Sequence, residues 1–200
     1  MATNFTDVYN AFLAQITDDL YMELTPEDTI KDLRNLLING LPEFEFPRQN
    51  LYDYTISQEV IPEEEVTKDD FIIGVIWNEL EPGQDPDETT PTVASVIVER
   101  STFAADLTKE EIYILALIMK WGWLQRQITS IENVRMKYSG SDFKFSSQAN
   151  HLSKLLTLSD EVRRQHFHLQ RLYKRRKIGD DSIYASNWGV FREVSALDDD

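Results

Sequence analysis

The stretch LTKEEIYILALIMKWGWLQRQITS, residues 107–130, decides the fold, because it holds a helix start followed by the longest apolar run of the chain. Thr108 and Glu111 have the spacing of a capping box, in which two side chains bind the free backbone groups at a helix start. The run from Ile112 to Met119 is apolar nearly all round, which indicates burial among several neighbours. We therefore predict a central helix of about 30 residues that reaches Tyr138, or ~46 Å at 1.5 Å per residue.

Two shorter helices are predicted upstream of this segment. Apolar residues recur at three- and four-residue spacing from Thr6 to about Leu20, which favours a first helix there. Thr25, followed by a proline, is typical of a helix start, and Gly40 indicates the end of that second helix. We expect the two helices to form a hairpin.

The character of the chain changes across residues 43–105. Phe71–Trp77 and Thr92–Val98 are rich in β-branched residues and predict two strands. Residues 78–91, which hold several prolines and acidic residues, predict a solvated loop, and Ile61–Asp70 predicts an acidic connector. This region is therefore expected to be a small antiparallel sheet inserted between the second and third helices.

Downstream, a helix is predicted from Ser147 or Gln148 to Leu158, and a last helix starts at Ser159 and closes with Lys174–Lys177. The predicted fold class is mainly α: a helical bundle of four to five helices with a small antiparallel β insertion. A single domain is expected over residues 1–178, followed by an extended C-terminal tail, residues 179–200.

Charge is distributed unevenly along the 200 residues, whose formal net charge is −15. Residues 1–100 carry 5 Lys/Arg against 22 Asp/Glu, whereas residues 120–177 carry 13 against 4. A protein with such separated charge can assemble acidic face to basic face, or place a basic face on phosphate. The absence of cysteine excludes disulfides, a thiol nucleophile and cysteine-ligated zinc. No apolar run is long enough for a membrane span, and MATNFTDVYN does not resemble a secretory signal.

The sequence gives little support for catalysis. His166 and His168 are two residues apart on a predicted helix, so they point to different faces rather than toward one metal ion. No nucleophile elbow, phosphate-binding loop or dinucleotide-binding glycine pattern occurs. We predict that the protein is not an enzyme and has no catalytic residues, metal site or cofactor.

Two features favour contact with a partner. A basic run on the last helix places Arg164, Arg171 and Arg175 on one face, where they can bind phosphates, a carboxylate-rich partner or only water. Aromatic residues in the tail are costly to leave in water, so the tail folds back on its own core or, as we favour, docks on a neighbouring chain. The predicted contact residues are Arg163, Arg164, Arg171, Lys174, Arg175, Arg176 and Lys177 on the helix, and Tyr184, Trp188 and Phe191 in the tail.

The block LTKEEIYILALIMKWGWLQRQITSIENVRMKYSGSDFKFSSQANHLSKLL, residues 107–156, resembles small structural proteins of tailed bacteriophages, closest to the head–tail connector group (adaptor, head-completion or neck proteins). The order of predicted helices and the protruding tail agree with that resemblance. It implies a virion protein at the head–tail interface that assembles in the host cytoplasm. It further implies a homo-oligomeric ring, commonly a dodecamer, that contacts the portal protein and tail or neck proteins. Double-stranded DNA would pass through the ring without sequence-specific binding, and no membrane is involved.

Two other functions stay open at this point. The acidic excess of residues 1–100 is compatible with an inhibitor that mimics DNA, although such a mimic has no use for a basic helix. Alternatively, the basic helix over residues 160–177 indicates a DNA-binding packaging factor. Salt dependence distinguishes them, because DNA binding through phosphate contacts weakens steeply as salt rises.

Overall fold

A computed structural model describes residues 2–16, 21, 24–68, 70–77, 93–137, 146–178 and 184–186. Four helices have defined bounds in these ranges: α1 (Phe5–Leu13), α2 (Pro26–Gly40), α3 (Lys109–Lys137) and α4 (Ser146–Arg175). The strands are β1 (Thr3–Asn4), β2 (Tyr54–Thr55), β3 (Gln58–Pro62), β4 (Ile72–Trp77), β5 (Val93–Glu99), β6 (Thr102–Phe103), β7 (Arg176–Ile178) and β8 (Tyr184–Ser186). Two short 3-10 turns cover Leu41–Glu43 and Glu63–Glu65. Helices combined with small antiparallel sheets agree with the predicted fold class.

The long helix α3 forms the centre of the molecule, as the sequence predicts. Its capping box is present: the Thr108 backbone N–H donates to Glu111 Oε2 at 2.7 Å, and the Glu111 N–H donates to Thr108 Oγ1 at 3.3 Å. Every residue from Ile114 to Met119 is buried. The other three helices pack against α3, so its nearly uniform apolar surface is covered from several sides.

The first predicted helix is too long, and the predicted hairpin is wrong. Helix α1 ends at Leu13, after which the Ala14 N–H still bonds to the Asn10 carbonyl while the chain turns. Leu13 and Ile16 nevertheless pack against the core, so the apolar spacing continues without a helix. Residues 17–20 lie outside the described residues. Helices α1 and α2 pack mainly on α3 rather than on each other, because α3 supplies the larger apolar surface.

Helix α2 has the predicted bounds, but Gly40 acts differently from the prediction. Thr25 Oγ1 accepts a hydrogen bond from the Asp28 N–H at 3.2 Å, which caps the start. Gly40 is the last helical residue, and its φ of −82° is an ordinary right-handed value rather than that of a C-cap glycine. A Cβ atom at this position would lie 2.9 Å from Ile118 Cγ2. The glycine therefore permits the close approach of α2 to α3.

The strands form more sheet than the sequence predicts. β4 and β5 match the two predicted strands and pair antiparallel. β3 lies where an acidic connector is predicted to start, and it pairs with the other side of β5, giving the order β3-β5-β4. A second sheet has the order β1-β6-β2, so the amino-terminal segment also contributes a strand. The β structure is thus not only an insertion between α2 and α3.

The two predicted carboxy-terminal helices are one continuous helix, α4. Ser159, predicted to begin a new helix, is buried instead, and its Oγ accepts a hydrogen bond from Gln125 Nε2 at 2.9 Å. Leu152, Val162 and Tyr173 are all buried, so a single apolar face extends through the predicted break. Packing against α3 therefore outweighs the local helix-start signal.

Candidate interaction surfaces

The predicted basic residues of α4 lie on its exposed surface. Arg163, Arg164, Arg171, Lys174 and Arg175 are all exposed. The helix ends at Arg175, so Arg176 and Lys177 belong to β7 instead of the helix. β7 pairs with β8 through main-chain hydrogen bonds. The helical spacing on which the prediction relied therefore does not apply to Arg176 and Lys177.

The predicted aromatic contact residues have different outcomes. Tyr184 lies in β8, opposite Ile178, so part of the region predicted as an extended tail forms a strand that pairs with β7 just before it. Trp188 and Phe191 lie outside the described residues.

Three arginines of α4 share one exposed face of the helix. Arg164, Arg171 and Arg175 follow helical spacing on one face, and exposed His168 lies between them. We call this set the basic stripe; it spans ~17 Å along the helix. No ion pair is present between these arginines and the acidic residues that the structure describes.

The remaining two helix cations are partly engaged by aromatic rings. Lys174 Nζ lies 3.8 Å from the centre of the Phe46 ring, and the Arg163 guanidinium lies 5.7 Å from that of Phe167. Such cation–π contacts restrain the side chains and shield one side of each charge. The basic stripe is therefore the part of the predicted set best placed to meet a partner.

Part of the acidic excess is neutralised inside the molecule, which the sequence did not reveal. Arg100 binds Glu59 at 2.9 Å and Asp70 at 2.5 Å. Hydrogen bonding by Thr67, followed by the Arg100 contact, holds the pKa of Asp70 below its usual value. Arg34 pairs with Glu99, whose side chain is completely buried. These pairs link residues far apart in the chain and carry no local sequence signal.

Glu63, Glu64 and Glu65 are three consecutive exposed acidic residues next to the β3-β5-β4 sheet. They form one 3-10 turn directly after β3, and we call them the acidic turn. Because Pro62 pairs with Ser95, which also pairs with Ile76, the turn follows β3 at the end of the sheet that includes Ile76 and Trp77.

The same end of the sheet exposes apolar side chains of β4. Trp77 is 55% exposed, Val75 42% and Ile76 40%, and we call these three residues the apolar tip. Val60, also exposed, pairs with Ile97 nearer the middle of the sheet. Strands β3 and β4 are the edges of their sheet among the described residues, and β4 contains no charged residue. Sequence patterns identified β4 as a strand but gave no indication of which of its side chains are exposed.

Two clefts lie along the contact between α2 and α3. The first, of about 270 Å³, includes Asn35, Asn39 and Trp121 in its wall, and the second, of about 340 Å³, includes Tyr21 and Trp123. Both tryptophans are partly buried and also pack against the core. Arg126 borders both clefts and binds Asp32 at 2.5 and 2.9 Å. Its charge is thus used to join the two helices.

Two buried polar side chains of α4, Tyr173 and Gln170, have structural partners. The Tyr173 hydroxyl donates to Glu111, and burial followed by this contact raises the pKa of Tyr173 above its usual value. Gln170 Nε2 donates to the Glu43 carbonyl at 3.0 Å, and Gln170 Oε1 accepts from the Glu45 N–H at 2.8 Å. These contacts fix the segment after α2 to the last helix.

His166, also on α4, is completely buried. Its Nδ1 lies 3.2 Å from Gln170 Nε2, and its ring packs beside Trp121. Burial, followed by the charge of Arg163, lowers the pKa of His166 to about 4. The imidazole is therefore neutral at pH 7, and exposed His168 points to another side of the helix, as the spacing predicts.

The described residues contain no group of three or more His, Cys, Asp or Glu side chains placed to hold a metal ion. In the same part of the chain, no helix is both long enough and apolar enough to cross a bilayer.

Comparisons with protein-family models, curated protein sequences and solved structures found no match to this chain.

Proposed function

We propose that this chain is a non-enzymatic structural protein of the tailed-phage neck, which forms a ring between portal and tail and lines the passage for DNA. The observation that carries the proposal is the separation of two exposed surfaces of opposite charge on one chain. The basic stripe lies on α4, and the acidic turn and apolar tip lie at the end of the β3-β5-β4 sheet. Opposed charges fix register between neighbouring copies, and head-to-tail contacts close into rings.

Several further features support a role in assembly. The buried charges hold structural partners: Arg34 with Glu99, and Glu111 with Tyr173. The acidic excess of the chain would repel DNA phosphates, so a duplex could slide through a passage lined by it. The portal, the ring size and the location in the virion come from the resemblance of residues 107–156 to connector proteins.

Assembly of particles tests the proposal. In a phage that carries this gene, its disruption should leave heads without attached tails, as seen by electron microscopy. Supplying the full chain in trans should restore tailed particles. Normal yields of tailed, infectious particles without the chain would refute a neck function.

The tail provides a sharper test of portal docking. Deleting residues 187–200 keeps β8, so the β7–β8 pair is retained. We expect the shortened chain to fold, with an unchanged far-UV circular dichroism spectrum, but not to join the portal. Deleting residues 180–200 also removes β8 and serves as the comparison. If the chain ending at Ser186 still occupies its place in particles, the tail is not the anchor.

A DNA-binding packaging factor is the second candidate, favoured because the arginines of the basic stripe form no ion pair with the acidic residues that the structure describes. Three phosphate contacts would give a slope of about −3 when the logarithm of the binding constant is plotted against that of the salt concentration. A connector should show little affinity for free duplex at any salt concentration tested. The DNA-mimic alternative is weakened because Arg34, Arg100 and Arg126 neutralise several carboxylates within the fold.

A further inference from the structure

We infer that the acidic turn and apolar tip of one copy bind the basic stripe of α4 in a second copy. The inference specifies a contact for the proposed ring and rests on that function in taking another copy of this chain as the partner. It concerns Glu63, Glu64 and Glu65 with the apolar tip on one side, and Arg164, Arg171 and Arg175 on the other.

The sheet brings the acidic and apolar groups of the first surface together. Pro62 and Ile76 occupy equivalent positions on either side of Ser95, so the two edge strands are ~10 Å apart there. Glu63 follows directly after Pro62, and Trp77 follows Ile76. An exposed aromatic side chain with carboxylates nearby has the composition of an interface anchor with a charged rim.

Charge complementarity selects the second surface. The three glutamates are exposed, and no ion pair between them and the described basic residues is present. The three arginines of the basic stripe have the same properties with the opposite sign. Leu156 and Leu158 are 46% and 39% exposed about two turns before Arg164. These two leucines are two residues apart and so point to different sides of α4, and the match between the two surfaces is therefore one of charge.

The contact is head to tail, because the two surfaces lie on different elements of one chain. Each copy offers its acidic turn to one neighbour and its basic stripe to another, as a ring requires. The alternative is a symmetric contact in which β4 of one copy pairs with β4 of another. Such a contact uses the same surface on both copies and would give a dimer instead of a ring.

Charge exchange between two variants tests the contact. E63K/E64K/E65K gives a copy with two basic surfaces, and R164E/R171E/R175E gives a copy with two acidic surfaces. Sedimentation velocity at low salt should show the wild type associating and each variant alone binding itself at least about tenfold more weakly. An equimolar mixture should associate again, because each variant then meets the opposite charge at both contacts.

Control variants separate this contact from a general effect of charge. D7K/E27K/D53K makes the same change in net charge as E63K/E64K/E65K at exposed positions outside α4 and the β3-β5-β4 sheet, and should associate as the wild type does. Trp77→Ala should weaken association about tenfold without changing its salt dependence. Raising salt from about 0.1 to 1 M shortens the screening length from ~10 to ~3 Å and should weaken the wild-type contact.

Several results would overturn the inference. The inference is wrong if the wild type stays monomeric at about 1 mM in low salt. Self-association with a binding free energy of only about −4 kcal/mol is detectable at that concentration. A mixture that fails to associate, or a control that loses association equally, would overturn the inference as well. If the stripe variant self-associates normally but no longer binds duplex DNA, the basic stripe serves nucleic acid instead. Tailed particles assembled normally from either variant would overturn this contact while leaving the neck function intact.

Discussion

Exchanging the two glycines at the α2–α3 contact for alanine should change stability in opposite directions. A Cβ at Gly40 would lie 2.9 Å from Ile118 Cγ2, whereas a Cβ at Gly122 would lie 3.6 Å from Leu36 Cδ2. The first distance is an overlap and the second an ordinary van der Waals contact. Both residues have helical backbone, so alanine suits the backbone at either position.

The magnitudes follow from the cost of overlap and the gain in helix propensity. Alanine is favoured over glycine by about 1 kcal/mol in a helix interior, so Gly122→Ala should raise the free energy of unfolding by about 0.5–1 kcal/mol. Gly40 is at the end of its helix and gains less. Overpacking costs about 1–3 kcal/mol, and Ile118 Cγ2 is attached to a stiff β-branched carbon that cannot easily move away. Gly40→Ala should therefore lower the free energy of unfolding by about 1–2 kcal/mol.

Urea unfolding followed by far-UV circular dichroism measures both changes. Ile118→Leu removes the β-branch and should relieve the overlap, so Gly40→Ala should cost less in that background than in the wild type. Gly122→Ala should change the free energy of unfolding by the same amount in the wild type and in the Ile118→Leu background. If Gly40→Ala stabilises the protein as much as Gly122→Ala does, the helices are not as close as described.

Three further changes test buried polar contacts. Arg34→Met should lower the free energy of unfolding, measured in urea, by about 3–5 kcal/mol, because it leaves the Glu99 carboxylate buried without its partner. Adding Glu99→Leu should recover most of that loss. If Arg34→Met alone is as stable as the wild type, the ion pair is contradicted. The pKa of His166 is about 4 in the folded protein and about 6.5 in the unfolded chain. Between these two pH values the unfolded chain binds more protons than the folded protein does. The free energy of unfolding should therefore fall by up to ~3 kcal/mol as the pH drops from about 6.5 to about 4. His166→Leu should remove that part of the pH dependence of urea unfolding, and identical pH profiles for both proteins would refute the buried neutral imidazole. Tyr173→Phe should cost about 1–3 kcal/mol by thermal unfolding, because Glu111 loses a buried donor, and an unchanged melting temperature would contradict the contact.

Local signals in the sequence were enough to predict the helix starts and the central element. Thr25 and Thr108 cap helices through contacts within three residues, and the run from Ile112 to Met119 is buried apart from half-buried Ile112 and exposed Tyr113. β4 and β5 were also predictable, because β-branched residues concentrate there. The exposed face of Arg164, Arg171 and Arg175 follows from helical spacing alone.

Signals that depend on distant residues were misread or missed. Ser159 is typical of a helix start, yet burial against Gln125 keeps α4 continuous. β3 contains exposed charge and became a strand only because β5 offers an unpaired edge. The prediction of tail docking by Trp188 and Phe191 remains untested.

Composition and helical periodicity by themselves determined a mainly helical chain with one buried central helix, separated charge and a basic face, because these properties depend on neighbours within a turn or two. Only the tertiary structure decided which charges remain exposed. Arg100 pairs with exposed Glu59 and with nearly buried Asp70, while Glu63, Glu64 and Glu65 are left at the end of a sheet beside Trp77. Those contacts join segments tens of residues apart, and pairing across such distances is set by packing of the whole chain rather than by local sequence.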